Sequence, residues 1–186
     1  MFLAEHPDMD VEDYLLLDTT SKTAKYEYLD GMLYMLAGGS NNHSIIAANI
    51  TAILNYALRK TPCIVYSSDV RVKLSESRYV HPDVTISCDE RDRQASNNVQ
   101  YPRVIFEVLS PSTEVKDKGE KLLAYLDCSS LEEYILVDSR TVFVEVYHKD
   151  KNKWTSTITR SDDPILLQSI SLEISLEDIY AKTSIK

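Results

Sequence analysis

Glycine is scarce in this sequence, with four residues in 186, and the six prolines are scattered. That scarcity excludes collagen-like repeats and glycine- or proline-rich low-complexity disorder. Glycine-rich phosphate loops are missing as well: there is no GxGxxG and no Walker A lysine loop, and no GxSxG elbow, HExxH or EF-hand loop occurs. Gly119-Glu120-Lys121 lacks the strand and glycine-rich loop that would make it a nucleotide site. Cysteine is sparse too. Cys63, Cys88 and Cys128 lie far apart, with no CxxC and no His at zinc-ligand spacing, so no structural zinc is expected. Such a set suits a reducing compartment, where thiols act as small hydrophobes. Positive charge is in deficit, 20 Lys and Arg against 29 Asp and Glu, for a formal net charge of −9. A basic nucleic-acid-binding face over most of the surface is excluded, and so is a cationic membrane-surface helix. A small basic patch is still allowed.

Long apolar runs are also absent. Ile45 to Leu58 is interrupted by Asn49 and Asn55 and is too short to cross a bilayer. Met1 to Glu5 carries no basic segment, so a secretory signal is not expected, and the sequons at Asn42 and Asn49 read as chance matches. The expectation is a soluble cytoplasmic protein.

What is present suits one domain of ordinary size over residues 1–186, with 44% hydrophobic and 26% charged residues. A short helix is predicted around Val11 to Leu17. Tyr26 to Leu29 and Met32 to Met35 flank Asp30-Gly31, a hairpin signal, because a type I′ turn needs positive φ at both positions. A helix follows from about His43 to Arg59, with Ile46, Ile50, Ile53 and Ala57 on one face. Strands are predicted over Cys63 to Ser67, Asp69 to Leu74 and Tyr79 to Ser87, then polar loop over Glu90 to Gln100. Val104 to Leu109 reads as a central strand buried on both faces. The next helix runs to about Leu126 with Leu122, Leu123 and Leu126 as its apolar side. Tyr134 to Val137 is a short strand, Thr141 to Tyr147 and Trp154 to Thr159 a peripheral hairpin, and Leu176 to Ala181 a closing helix. The central order is helix, strand, strand, strand, helix, strand. It indicates an α/β (α+β) fold with a mixed sheet and peripheral β-hairpins.

Two carboxylates stand out. Glu107 sits in a strand whose other residues belong in a core, so it must be neutral, paired with a lysine or bound to metal. Asp83, after Pro82, lies on the polar side of a neighbouring strand, where a turn or edge role is equally open. If the strands are adjacent, the two carboxylates converge. At about 4 Å they would repel by roughly 4 kcal/mol. A hard cation such as Mg²⁺ relieves that repulsion and recruits phosphate oxygens. Lys121 shares a helix face with Asp117 and Tyr125, which fits either a site lysine or a surface salt bridge to Asp117.

Pro82-Asp83, Glu107-Val108-Leu109-Ser110-Pro111-Ser112-Thr113, Asp117-Lys118-Gly119-Glu120-Lys121 with Tyr125, and Glu133 to Asp138 together resemble the Uma-two family of restriction-endonuclease-like proteins. That family belongs to the PD-(D/E)XK nuclease superfamily. The similarity runs from Tyr26 through His43 to Tyr180. It implies a restriction-endonuclease-like core and a Mg²⁺-dependent endonuclease, with Mn²⁺ as an alternative cation. DNA is the implied partner, no membrane is involved, and a homodimer is a compatible assembly. By resemblance Asp83 and Glu107 are metal ligands, joined by the Val108 carbonyl. The superfamily expects a lysine two residues after the acid, where this chain has Leu109; Lys121 on the following helix supplies it instead. Glu27 and His43 match two further motif positions, for water, a second metal or substrate, although Glu27 could be a hairpin charge and His43 a helix cap. Arg71, Lys73, Lys116 and Lys118 are candidate phosphate contacts. The rival readings are a non-catalytic binding module, which the net charge favours, and a hydrolase of small phosphoesters.

Overall fold

The computed structural model describes residues 8–36, 38–160 and 163–185, so the Met1 to Glu5 segment lies outside the described residues. In chain order the elements are α1 (Val11–Thr20), β1 (Tyr26–Leu29), β2 (Met32–Met35), α2 (Asn41–Leu58), β3 (Ile64–Ser67), β4 (Arg71–Ser75), β5 (Arg78–Val80), β6 (Val84–Ser87), α3 (Glu90–Gln94), β7 (Asn98–Val99) and β8 (Val104–Leu109). They continue with α4 (Glu114–Asp117), α5 (Glu120–Asp127), β9 (Glu133–Asp138), β10 (Val144–Asp150), β11 (Lys153–Thr159), β12 (Ile165–Leu167), β13 (Leu172–Ile174) and α6 (Leu176–Ile179).

A six-stranded sheet of order β11-β10-β9-β8-β6-β3 forms the centre, and a five-stranded sheet of order β2-β1-β5-β4-β7 lies beside it. The central sheet is mixed: β8 and β9 are parallel, and β6 runs antiparallel to β8. Both faces of β8 are covered, because its side chains alternate. Val104, Phe106 and Val108 pack in one core with Ile46, Ile50, Leu54 and Leu58 of α2. Ile105 and Leu109 pack in the other, with Ala124 and Tyr125 of α5 and Val72 and Val80 of the second sheet. By the period-two rule Glu107 falls on the α5 side. The expected strand buried on both faces is therefore central, as read.

The Asp30-Gly31 turn joins β1 and β2 with φ of 48° and 94°, the positive pair that a type I′ hairpin requires. Elsewhere the structure departs from the sequence reading. Tyr79 to Ser87 is not one strand. It breaks at His81-Pro82-Asp83, β5 joining the second sheet and β6 the central one, since proline removes a ladder donor. The stretch expected as loop holds α3 and β7. Buried Asp92 organises it by accepting hydrogen bonds from Ser87 Oγ (2.6 Å), Gln100 N–H (2.8 Å) and Tyr101 N–H (3.0 Å).

The inner face of α5 is also different. Lys121, Ala124 and Tyr125 are buried, whereas Leu123 is 65% exposed. Finally, Cys63 and Cys88 are not free thiols but form a disulfide, with Cα atoms 3.9 Å apart. The Ile64↔Ser87 pairing of β3 and β6 brings them face to face one position further on. Cys128 stays free and buried. Among the described residues no helix is long and apolar enough to cross a membrane.

Candidate active site

The β6–β8 ladder pairs Val84 with Phe106, so Asp83 and Glu107 are the next positions on adjacent strands. The main chain completes the link: the Val108 N–H donates to Asp83 Oδ2 at 2.8 Å. His43 reaches the same oxygen from the first turn of α2, its Nε2 at 3.3 Å. Ser40 caps that helix by accepting the His43 N–H. Gly39 leaves room for the ring, because a Cβ there would lie 2.6 Å from His43 Nδ1. Burial lowers the His43 pKa, but the hydrogen bond and charge of Asp83, helped by Asp117 and the Val108 backbone, outweigh it and leave it raised.

On the α5 side Lys121 fills the space between three carboxylates. Its Nζ is 2.5 Å from Glu107 Oε1, 2.9 Å from Glu27 Oε1 and 3.4 Å from Asp117 Oδ1. An ammonium has three donors, and three acceptors meet it here. Tyr125, one turn along, donates its hydroxyl to Glu107 Oε1 at 2.7 Å. Glu27 is the other hub. Its Oε1 also accepts the His81 N–H at 3.2 Å, and its Oε2 accepts from Lys116 Nζ at 2.8 Å.

Two buried carboxyls thus behave oppositely. For Glu107, desolvation outweighs the attraction of Lys121, and the charges of Asp117, Asp83 and Glu27 add to it, pushing the pKa up to about 8. For Glu27, burial also works against ionisation, but Lys121 and Lys116 together outweigh it and hold the pKa down to about 2. The lysine belongs to both: burial opposes its charge, yet Glu107 and Glu27 raise its pKa well above the ordinary value.

These groups line a cavity of about 550 Å³, which Glu27, His43, Asp83, Glu107, Val108 and Lys121 share. All the site residues picked out in the sequence meet there. The candidate phosphate contacts divide differently. Lys116 lines the cavity. Arg71 is instead turned to Asp18 (2.7 Å) and Asn98 (2.6 Å), Lys73 pairs with Glu76, and Lys118 pairs with Glu114. Sequence reading missed His81, which also lines the cavity. Its Nε2 lies 3.3 Å from Asp18 Oδ2, and its buried Nδ1 has no hydrogen-bond partner among the described residues. The signal was its place directly before Pro82-Asp83.

Among the described residues no group of three or more His, Cys, Asp and Glu is arranged to hold a metal ion. Of the carboxylates that line the cavity, Asp83 and Glu107 lie on adjacent strands beside the Val108 main chain. That set still fits a cation such as Mg²⁺, which is bound by one or two carboxylates and keeps several waters.

The central mixed sheet carries its acidic pair on adjacent strands, with α2 on one face and α5 together with the second sheet on the other. The crystal structure of a protein from Anabaena variabilis, titled "a putative nuclease belonging to DUF820", superposes with a TM-score of 0.78 over 92% of this chain and 97% of that one, at 17% identity. The family model described as "Uma2: Putative restriction endonuclease" matches residues 11–178. The chain belongs to that family. Two relatives from Synechocystis sp. bear it out in sequence. Uncharacterized protein slr1290 is 35% identical over 95% of this chain and 94% of its own length, and uncharacterized protein sll1609 is 32% identical over 68% and 73%.

Proposed function

We propose that this protein is a metal-dependent endonuclease that hydrolyses phosphodiester bonds, with DNA as its substrate. The observation that carries the reading is the convergence of Asp83, Glu107 and Lys121 in one cavity, with Lys121 Nζ 2.5 Å from Glu107. Asp83 and Glu107 would hold the cation, Mg²⁺ or Mn²⁺, with the Val108 main chain beside them. The bound cation supplies a water of lowered pKa and offsets charge on the phosphate. Asp83 is oriented for this by the Val108 N–H and His43, so its carboxylate is pre-placed. Lys121 holds positive charge beside the reacting phosphate, and its high pKa keeps it an ammonium throughout the neutral range. Tyr125 fixes the Glu107 carboxyl from behind.

One observation favours a second reading, a nuclease-fold binding module without cleavage. Lys121 is enclosed by three carboxylates, which compete with a substrate phosphate for its charge. Plasmid cleavage decides between them. With Mg²⁺ or Mn²⁺ the wild type should nick or linearise supercoiled DNA, EDTA should stop it, and Asp83→Ala should lower the rate at least a hundredfold. Equal cleavage by Asp83→Ala would assign the activity to a contaminant. No cleavage across broad conditions would favour the binding module.

A further inference from the structure

Part of the cavity wall comes from two connections outside the acidic pair. Residues 21–25, between α1 and β1, line it, and so does Ser68 in the turn between β3 and β4. Two of the residues in the first connection are lysines, Lys22 and Lys25, in a chain whose net charge is −9. That connection is closed on itself. The Ser21 hydroxyl donates to the Ala24 carbonyl at 2.7 Å and accepts the Ala24 N–H at 3.2 Å. The Lys25 carbonyl accepts the Leu36 N–H at 2.9 Å, which continues the β1–β2 ladder one position beyond Tyr26 and Met35. The Lys25 side chain therefore starts from a fixed main chain.

From there the ammonium crosses to the β3–β4 turn. It donates to the Ser68 carbonyl at 3.1 Å and to Asp69 Oδ1 at 2.5 Å. Asp69 differs from the carboxylates deeper in the site. Its side chain is 81% exposed and that of Lys25 42%, so the pair stands in water. The hydrogen bond and charge of Lys25 hold the Asp69 pKa below the ordinary value, so Asp69 is a carboxylate at neutral pH. An exposed pair of this kind gains little over two separately hydrated ions. A phosphate oxygen makes the same charge-assisted hydrogen bond to an ammonium as a carboxylate does. A strand already held in the cavity at one phosphate offers its next ones at high effective concentration, enough to displace a loosely held carboxylate. Building on the nuclease reading above, we propose that Lys25 is a phosphate-binding residue of this cavity, and that Asp69 occupies it until a phosphate of the bound DNA strand takes its place. The ligand class is a phosphodiester other than the one placed at Asp83 and Glu107. Asp69 thereby screens the site: an isolated anion must compete with it, whereas a strand anchored at a second point does so readily.

The test relies on the two halves of one ion pair giving opposite signs. A labelled duplex oligonucleotide is titrated with the full-length protein in EDTA over a series of low salt concentrations. Lys25→Met should weaken binding and make the slope of log K against log salt shallower by about 0.9, the loss of one phosphate contact. Lys25→Arg should keep the wild-type slope. Asp69→Asn should instead tighten binding about two- to fivefold, the range set by the strength of an exposed ion pair. In the Lys25→Met background, Asp69→Asn should give no gain. An ion pair that only ties two loops together predicts the same sign for both substitutions, since each of them breaks it.

Effects of the same sign in Lys25→Met and Asp69→Asn would overturn the proposal, and so would a gain from Asp69→Asn that persists without Lys25. An unchanged slope in Lys25→Met, or a wild type that does not bind the oligonucleotide at the lowest salt, would overturn it as well. Should Lys25→Met fail to fold, Lys25→Gln serves the same comparison. Failure of the nuclease reading is a separate result, because it would appear as absent cleavage of plasmid DNA with this binding pattern intact.

Discussion

A single proton separates the resting states of the two glutamates in this cavity. Glu107 has a folded pKa above its unfolded value, so in the metal-free protein it binds a proton that the unfolded chain has released. The stability it contributes is present below about pH 4.5 and is lost as the pH rises toward 8. Glu27 has the opposite sign, contributing above its unfolded pKa and losing that contribution as the pH falls toward 2. His43, whose pKa is also raised, adds a loss in the same direction as Glu107 but higher in the range. Urea denaturation in EDTA should therefore show stability falling between pH 5 and pH 8, by up to a few kcal/mol. Glu107→Gln should flatten that fall, chiefly at its acidic end. A variant with the wild-type slope would mean that Lys121 keeps Glu107 ionised, against the balance of burial and charge described here.

Helix α5 shows how a site is built into an element at the expense of apolar pattern. Its three leucines suggest an inward face of Leu122, Leu123 and Leu126, but the buried side chains are Lys121, Ala124 and Tyr125. Lys121 and Tyr125 are four residues apart, so both reach Glu107 from one helix face. Polar side chains that meet partners can be buried, and the leucine that faces away from the sheet stays in water. Leu123→Glu should consequently change stability by no more than about 0.5 kcal/mol. Tyr125→Ala should cost about 3–5 kcal/mol, as for other buried aromatic residues. Chemical denaturation of both variants checks this, and a large loss in Leu123→Glu would contradict the orientation of the helix.

At the scale of the whole molecule, two sheets are joined by the chain through His81-Pro82-Asp83, and the cavity lies where they meet. Glu27 comes from the second sheet, Asp83 and Glu107 from the central one. The Cys63–Cys88 disulfide ties edge strand β3 to β6, whose opposite end leads to Asp83. Closing a loop of this length stabilises by about 3 kcal/mol in the chain-entropy account. Thermal melts should thus show a lower midpoint in reductant than without it, and the Cys63→Ala, Cys88→Ala double variant should melt at the lower midpoint in both conditions. An unaltered melting temperature in reductant would show that the bond contributes no net stability.

Much of this organisation was legible in the residues. The Asp30-Gly31 turn, the apolar face of α2, the all-apolar setting of Glu107 and the spacing of Asp117, Lys121 and Tyr125 are local patterns, and local patterns are dictated by backbone sterics and by the period of a helix or strand. The family resemblance added the metal-ligand roles expected of Asp83 and Glu107. What the sequence did not show was decided by contacts between distant segments. The break at Pro82 looked like one alternating strand because period two continues through it, and only the destination of each half separates them. The Cys63–Cys88 bond depends on strand register, which spacing along the chain does not reveal. Arg71 looked like a free cation until Asp18, 53 positions earlier, was found against it. Glu27 matches a motif position yet fits a hairpin charge equally well in the sequence, because its two lysines stand 89 and 94 residues away. Charge partners are a property of space, so the residues could be named from the sequence, but their states of charge were fixed only by the fold.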